Sequence, residues 1–420
     1  MANFKVQGKS KLSGEIKISG AKNAALKILP AAILGNGVSV IKNVPEISDI
    51  NQIEKILESI GTKIESNNGT VTVDPTHINS FEPEAKLMKK LRGGIVVVGP
   101  LLAKFGKAVF AQPGGCLIGA RSVDEHLDVF MQMGVKVQRK DNVYHLKGKP
   151  RACDITLNKM SVTGTENAMM ASVLSKGKTR IFVAAAEPEI VDLADYLNKM
   201  GAKIEGAGTH TITITGVDKL HGVDHCVLPD RIEAGTYLIA AVATNSSVAI
   251  GPVIPEHLSI VLRKLEVAGA KFKIFDKNGG TFIKTEKRGE LTATGLDTRT
   301  YPGFPTDLQS PYAVLMTQAN GKSQIFETLF EGRFLYLDEL KMMNAKAEVL
   351  SPHIIQIYGP TKLKANHISS RDIRGGAALV IAAMLAEGDT IISDIEYIDR
   401  GYEKMDEKLR NAGVKIERIG

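Results

Sequence analysis

Apolar and polar positions along this chain form a pattern that keeps returning. Runs such as Ile53, Ile56, Leu57, Ile60 and Val191, Leu193, Leu197, Met200 place apolar residues at helical spacing with polar residues between them. A glycine and then a β-prone segment follow each run. The signature reads Ile60-Gly61-Thr62-Lys63-Ile64, Met133-Gly134-Val135-Lys136-Val137, Met200-Gly201-Ala202-Lys203-Ile204, Ala268-Gly269-Ala270-Lys271-Phe272, Met343-Asn344-Ala345-Lys346-Ala347 and Ala412-Gly413-Val414-Lys415-Ile416. Successive copies lie about 70 residues apart, longer than the common solenoid repeats. Each predicts an amphipathic helix stopped by Gly, once by Asn, and a strand after it.

A second kind of helix is predicted between these copies. Segments beginning near Lys22, Arg92, Glu166, Glu233, Asp307 and Arg374 are apolar nearly all round, the mark of helices buried within a domain. Their first turns are polar, and capping boxes are expected from Thr163 with Glu166, Asp230 with Glu233, and Thr306 with Gln309. The pattern predicts an α/β protein of six units, three to a domain, with these helices inside and sheets outside. Helix N-termini facing one cleft would attract a polyanion there. A chain of 420 residues exceeds one ordinary core, so two domains are expected, with the boundary near Asp230.

Composition narrows the function classes. Apolar residues at 44% and charged residues at 24% are ordinary for a soluble globular protein. Cys116, Cys153 and Cys226 make no disulfide framework and suit a reducing compartment. Cys153 and Cys226 lie in β-prone segments and are expected to be buried and inert. The start, Met1 to Val6, has no apolar h-region, and the apolar runs around Ile95 to Leu102 and Ala377 to Leu385 are too short to span a bilayer. A cytoplasmic protein without a membrane partner is expected. The net charge of +7 comes from Lys and Arg interleaved with acids, with no basic run, which favours small anionic substrates over nucleic acid. His221, His225 and Cys226 have zinc-like spacing but lack a fourth ligand. Gly206-Ala207-Gly208 lacks the third glycine and the helix of a dinucleotide loop, so neither metal nor cofactor is expected.

Candidate chemistry gathers at the predicted helix starts. In Gln112-Pro113-Gly114-Gly115-Cys116-Leu117-Ile118-Gly119-Ala120-Arg121, Pro and Gly forbid regular helix and leave a thiol and a guanidinium just ahead of a helix begun by Ser122, Val123 and Asp124. On residue types alone, a Gly-rich turn with a buried free Cys is the better reading of that stretch. Lys22, followed by Asn23, opposes the dipole of its own helix, a cost more easily explained if an anion lies nearby. Lys159-Met160-Ser161-Val162-Thr163-Gly164 is a small-residue turn into a helix; its amides and hydroxyls suit a diphosphate, and ordinary capping suits them as well. Asp307 sits in a first turn, where it also satisfies the dipole. Arg92, Arg121, Arg333, Arg374 and Arg400 are cationic candidates, because guanidinium reads carboxylate and phosphate with paired donors.

These segments resemble the UDP-N-acetylglucosamine 1-carboxyvinyltransferase family, the MurA-type enolpyruvyl transferases. The likeness rests on Pro113-Gly114-Gly115-Cys116, Ile118-Gly119-Ala120-Arg121, Ser19-Gly20-Ala21-Lys22-Asn23-Ala24-Ala25-Leu26, Tyr301 to Gln309 and Ile398-Asp399-Arg400-Gly401-Tyr402-Glu403, and it spans essentially the whole chain. It implies two inside-out α/β domains of threefold pseudo-symmetry, residues 22–230 and residues 1–21 with 231–420, and a cleft between them. It implies transfer of the enolpyruvyl group of phosphoenolpyruvate to the 3-hydroxyl of UDP-N-acetylglucosamine, the first committed step of peptidoglycan synthesis. Cys116 would be the proton donor and Asp307 the base. Lys22, Asn23, Arg121, Arg374 and Arg400 would hold phosphoenolpyruvate. Asn23, Arg92, Arg121, Ser122, Val123, Asp124, Lys159, Ser161, Val162, Thr163, Gly164, Asp307 and Leu329 would hold the nucleotide sugar, with Arg333 and Asp372 also in the cleft. Lys27, Gly93-Gly94 and Thr163-Gly164 depart from the family's usual Pro, Ala-Ser and Gly-Ala.

Shikimate-3-phosphate enolpyruvyl transferases lack the Cys loop. A catalytically silent nucleotide-sugar binding regulator would have lost Cys116, Asp307 or the cations. Oligomeric state stays open, and a monomer is compatible with the sequence. Cys116→Ala is expected to abolish nearly all turnover, and an electrophilic epoxide resembling phosphoenolpyruvate is expected to alkylate Cys116 selectively in peptide mass mapping. Full activity in the Ala variant would remove this thiol from the mechanism.

Overall fold

A computed structural model describes residues 2–114 and 122–420. The chain divides into two compact units. The terminal unit holds both chain ends, residues up to Ser19 and from Pro229 to Gly420; the central unit runs from Gly20 to Leu228.

Each unit is built around helices that are buried on every side. In the central unit these are Lys22–Ala31, Val98–Phe105 and Val162–Ser172; in the terminal unit they are Arg231–Ala243, Gln309–Met316 and Ile373–Leu385. Every residue from Ile232 to Ala243 and from Arg374 to Met384 is buried, as all-round apolar sequence requires. Three sheets flank the helices of each unit among the described residues.

One strand plan recurs. Asp154–Thr156 runs parallel to Lys178–Phe182, with the Val162–Ser172 helix as the crossover; Thr211–Thr215 then pairs antiparallel, and Lys203–Glu205 pairs with it. The register sets Ile155, Ile181 and Ile212 side by side, all facing the core. Alternation along each strand sends the threonines next to Ile212 outward. The parallel partner is exchanged at two places. Glu15–Lys17 precedes the Lys22–Ala31 helix yet pairs with Ala249–Val253, and Asp224–Cys226 precedes the Arg231–Ala243 helix yet pairs with Ser39–Lys42. The chain therefore passes between units after Ser19 and again after Leu228.

The repeated stop residues share one backbone state. Gly61, Gly134, Gly201, Gly269, Asn344 and Gly413 have φ of 93°, 81°, 105°, 106°, 72° and 94°. This left-handed region costs glycine nothing and asparagine little, which is why these residues end the amphipathic helices.

Several local expectations are corrected. Arg92–Val97 is a 3-10 helix that becomes α-helical only at Val98, because Gly93 and Gly94 weaken the α-helical start. Thr306–Leu308 is likewise a 3-10 turn before Gln309–Met316. Ser161 caps its helix by accepting from the Gly164 amide at 3.1 Å, which places Thr163 inside the first turn. Asp230 does cap its helix, but the Glu233 carboxylate accepts from the Ser19 amide at 2.8 Å and does not close a box. Thr306 gives its hydroxyl proton to Glu327 at 2.7 Å. Cys226 is exposed, since strand alternation points His225 inward instead, and Cys153 is half-buried. His225 is held by Asp192 at 3.0 Å and Lys199 at 3.2 Å. Among the described residues no group of three or more His, Cys, Asp and Glu is placed to hold a metal ion, and no helix is long and apolar enough to cross a membrane.

A Cβ on Gly134 would meet nothing closer than Arg151 Cδ at 3.6 Å, so Gly134→Ala tests the backbone alone. It should cost about 1–2 kcal/mol in chemical denaturation; unchanged stability would contradict the role given to φ at these stops.

Candidate active site

In the terminal unit the candidate residues converge on Asp307. The 3-10 turn Thr306–Leu308 presents this carboxylate at the start of a buried helix. Arg333 donates to Oδ1, while Arg374 Nε and Nη2 donate to Oδ2 at 3.2 and 3.1 Å. Both guanidinium groups are buried. Burial opposes the charge on Arg374, but Asp307, Tyr402 and Asp230 more than offset it and raise its pKa. The Arg374 guanidinium lies over the Tyr402 ring at 5.2 Å, two residues beyond Arg400, which ends the Ile395–Arg400 turn half-buried. Asp372 is the cap of the Ile373–Leu385 helix and accepts from the Arg374 and Gly375 amides at 2.9 and 2.8 Å. Its work is therefore to fix the backbone under Arg374.

Sequence reasoning missed Glu327, which organises this corner. Fully buried, it accepts from Thr298 Oγ1, Thr306 Oγ1 and the Leu329 amide at 2.9, 2.7 and 2.9 Å. It thereby joins the Asp307 turn to Leu329, whose side chain is exposed. These partners lie 29 and 21 residues away for the two threonines, so no local motif announces them.

In the central unit, Lys22 opens its helix and pairs with Asp49 at 2.7 Å, both side chains buried. Asp49 is thus one anion beside Lys22 that the protein itself supplies. Asn23 follows, half-buried. Arg92 donates to the Pro113 and Ser122 carbonyls at 3.4 and 2.8 Å, so it ties together the chain on both sides of residues 115–121. Cys116 and Arg121 lie outside the described residues.

Ser122 Oγ accepts from the Asp124 amide at 3.0 Å. Val123 is a core residue, which leaves only its backbone for any ligand, and Asp124 is exposed. Glu125 accepts from the Asn158 amide at 2.9 Å and so ties this helix to the turn that carries exposed Lys159. Ser161, Val162 and Thr163 are half-exposed at the next helix start, whereas Gly164 is buried against Ser161, where a Cβ would lie 2.9 Å from its hydroxyl.

A buried lysine and a buried carboxyl group stand behind this start. Lys27 Nζ lies 3.5 Å from Glu166 Oε1, with Lys27 5% and Glu166 0% exposed. Burial lifts the Glu166 pKa to about 8; Lys27 opposes the rise, and Glu189 and Glu187 add to it. The folded chain therefore keeps a proton that the unfolded chain gives up near its ordinary value of 4.5. Stability from this group falls as pH rises from that value through about 8, and levels off above. Glu166→Gln should flatten this part of the Tm–pH curve in scanning calorimetry; an unchanged slope would contradict the assignment.

The fold is that of an enolpyruvyl transferase. The chain matches the crystal structure of the enolpyruvyl transferase NikO from Streptomyces tendae with a TM-score of 0.89 over 99% of this chain and 98% of that one, at 24% identity. EPSP synthase from Acinetobacter baumannii matches with a TM-score of 0.76 over all of both chains, at 17% identity. At these identities the likeness speaks for the fold alone. Residues 6–409 match the family described as EPSP synthase (3-phosphoshikimate 1-carboxyvinyltransferase), and the chain belongs to that family. Its relatives include proteins named UDP-N-acetylglucosamine 1-carboxyvinyltransferase from Caldanaerobacter subterraneus, at 43% identity, and from Carboxydothermus hydrogenoformans, at 44%, each aligned over 100% of both chains. A protein of that name from Idiomarina loihiensis is 43% identical over the full length of both.

Proposed function

We propose that this chain transfers the enolpyruvyl group of phosphoenolpyruvate to the 3-hydroxyl of UDP-N-acetylglucosamine with release of phosphate, in peptidoglycan synthesis in the cytoplasm. The observation that carries the reading is full-length identity of 43–44% to proteins named for that activity. In this reading residues 22–230 and residues 1–21 with 231–420 are two inside-out α/β domains, each of three pseudo-symmetric repeats.

The chemistry is addition and then elimination. The sugar oxygen bonds to C2 of phosphoenolpyruvate as Cys116 delivers a proton to C3, making a methyl group, and Asp307 accepts the hydroxyl proton. The Cys116 thiolate then takes back a methyl proton as the bond between C2 and the phosphate oxygen breaks, which restores the double bond and frees phosphate. A positioned acid or base supplies on the order of 10²–10⁴ in rate. Asp307 suits the base role because the Arg333 and Arg374 guanidinium groups fix the orientation of its carboxylate. Lys22, Arg121, Arg374 and Arg400 balance the phosphate and carboxylate charges, and Asn23 reaches both substrates. Arg92, Ser122, the Val123 backbone, Asp124 and the Lys159 to Gly164 turn hold the uridine diphosphate, and Leu329 borders the sugar. A nucleotide-sugar binding regulator would use the same turn without needing Asp307.

Phosphate release from phosphoenolpyruvate tests the reading. It should require UDP-N-acetylglucosamine and fall by about 10²-fold or more in Asp307→Asn. Release that ignores the nucleotide sugar, or full activity in Asp307→Asn, would contradict it.

A further inference from the structure

Behind the Ser161–Gly164 turn lies a chain of hydrogen bonds that the proposed mechanism does not use. Its direction can be read from one fixed donor. The Gly99 amide can only donate, and it donates to Asn167 Oδ1 at 2.8 Å, which settles which end of the Asn167 amide is oxygen. Asn167 Nδ2 must then be a donor. It gives one hydrogen to the Ile95 carbonyl at 3.0 Å and faces His126 Nδ1 at 2.9 Å. His126 Nδ1 is therefore the acceptor, so the ring proton of the neutral imidazole sits on Nε2. Nε2 faces Thr163 Oγ1 at 3.2 Å and donates to it.

His126 and Asn167 are both buried, whereas Thr163 is half-exposed in the first turn of an eleven-residue helix, Val162–Ser172. Thr163 Oγ1 has no other hydrogen-bond partner among the described residues. Its acceptor capacity faces inward, which turns its own proton away from His126 and leaves it to donate. Burial, with the nearby Arg92 charge, lowers the His126 pKa to about 3, so the imidazole stays neutral at physiological pH and the relay keeps one direction.

We propose that Asn167 and His126 orient the Thr163 hydroxyl as a hydrogen-bond donor to a phosphate oxygen of the bound nucleoside diphosphate. The inference rests on the nucleotide-sugar reading of this turn. It gives a specific task to a side chain at a position where the resemblance expects glycine. Thr163 touches the ligand; His126 and Asn167 are positioning residues that act through it.

Isothermal titration of the full-length protein with UDP-N-acetylglucosamine, UDP and uridine tests the proposal. Thr163→Val keeps the β-branched shape and removes the donor. It should raise Kd for UDP-N-acetylglucosamine and UDP about tenfold, as for a lost hydrogen bond to a charged group, and leave uridine binding unchanged. Thr163→Ser should restore wild-type affinity. His126→Phe should cost the diphosphate ligands a similar factor, and the double variant with Thr163→Val should be no weaker than either single one. If thermal unfolding shows that His126→Phe is not folded, the Val and Ser variants decide. Wild-type UDP affinity in Thr163→Val, or equal losses for UDP and uridine, would overturn the proposal while leaving the nucleotide-sugar reading in place. No binding of UDP-N-acetylglucosamine to the wild-type protein would overturn both.

Discussion

Charge at the start of a helix that is apolar on every side must be compensated by a neighbour. Water cannot reach these helices from the flank, and an isolated buried charge is far more costly than the small net stability of a domain. The protein answers with partners drawn from other elements. Asp307 is held by Arg333 and Arg374, and Lys22 by Asp49. Glu233 takes Lys408 at 2.6 Å together with the Ser19 amide at 2.8 Å. Removing one member of such a pair typically costs about 3–5 kcal/mol, so each pair constrains the fold as well as the chemistry.

That constraint explains why the functional groups sit where they do. The helix interiors are filled mostly with Ala, Leu, Ile, Val and Met. Many of the functional side chains sit at helix starts, where the dipole and unpaired amides favour anions and where capping residues such as Ser161, Asp230 and Asp372 already fix the backbone. A carboxylate clamped by two arginines, or a hydroxyl aimed by a buried imidazole, then needs little reorganisation to meet a substrate. Pre-organisation of this kind is what electrostatic catalysis demands.

Much of this was legible in the sequence, and the part that was not has a common cause. The amphipathic and all-apolar helices follow from spacing within a few residues, and the stops at Gly61 through Gly413 follow from one backbone angle. The capping role of Asp230 is equally local. What sequence reading missed is pairing across distance: Asp49 under Lys22, Glu327 behind Asp307, Asn167 behind His126, and the exchange of Glu15–Lys17 with Asp224–Cys226 between parallel partners. The tight start at Arg92 was missed in kind, because two glycines shift the balance from α to 3-10 geometry. Cys226 was misjudged because a strand's two faces cannot be told apart by residue type when His225 and Cys226 compete for the inner one.

In the proposed reaction these groups promote an addition followed by an elimination at C2 and C3 of phosphoenolpyruvate. The most direct test is to run the reaction in deuterium oxide with UDP-N-acetylglucosamine and examine the product's vinyl group by mass spectrometry and proton NMR. Passage through a methyl intermediate predicts deuterium in the product's methylene position. A product formed at full rate with no deuterium in that position would contradict the claim.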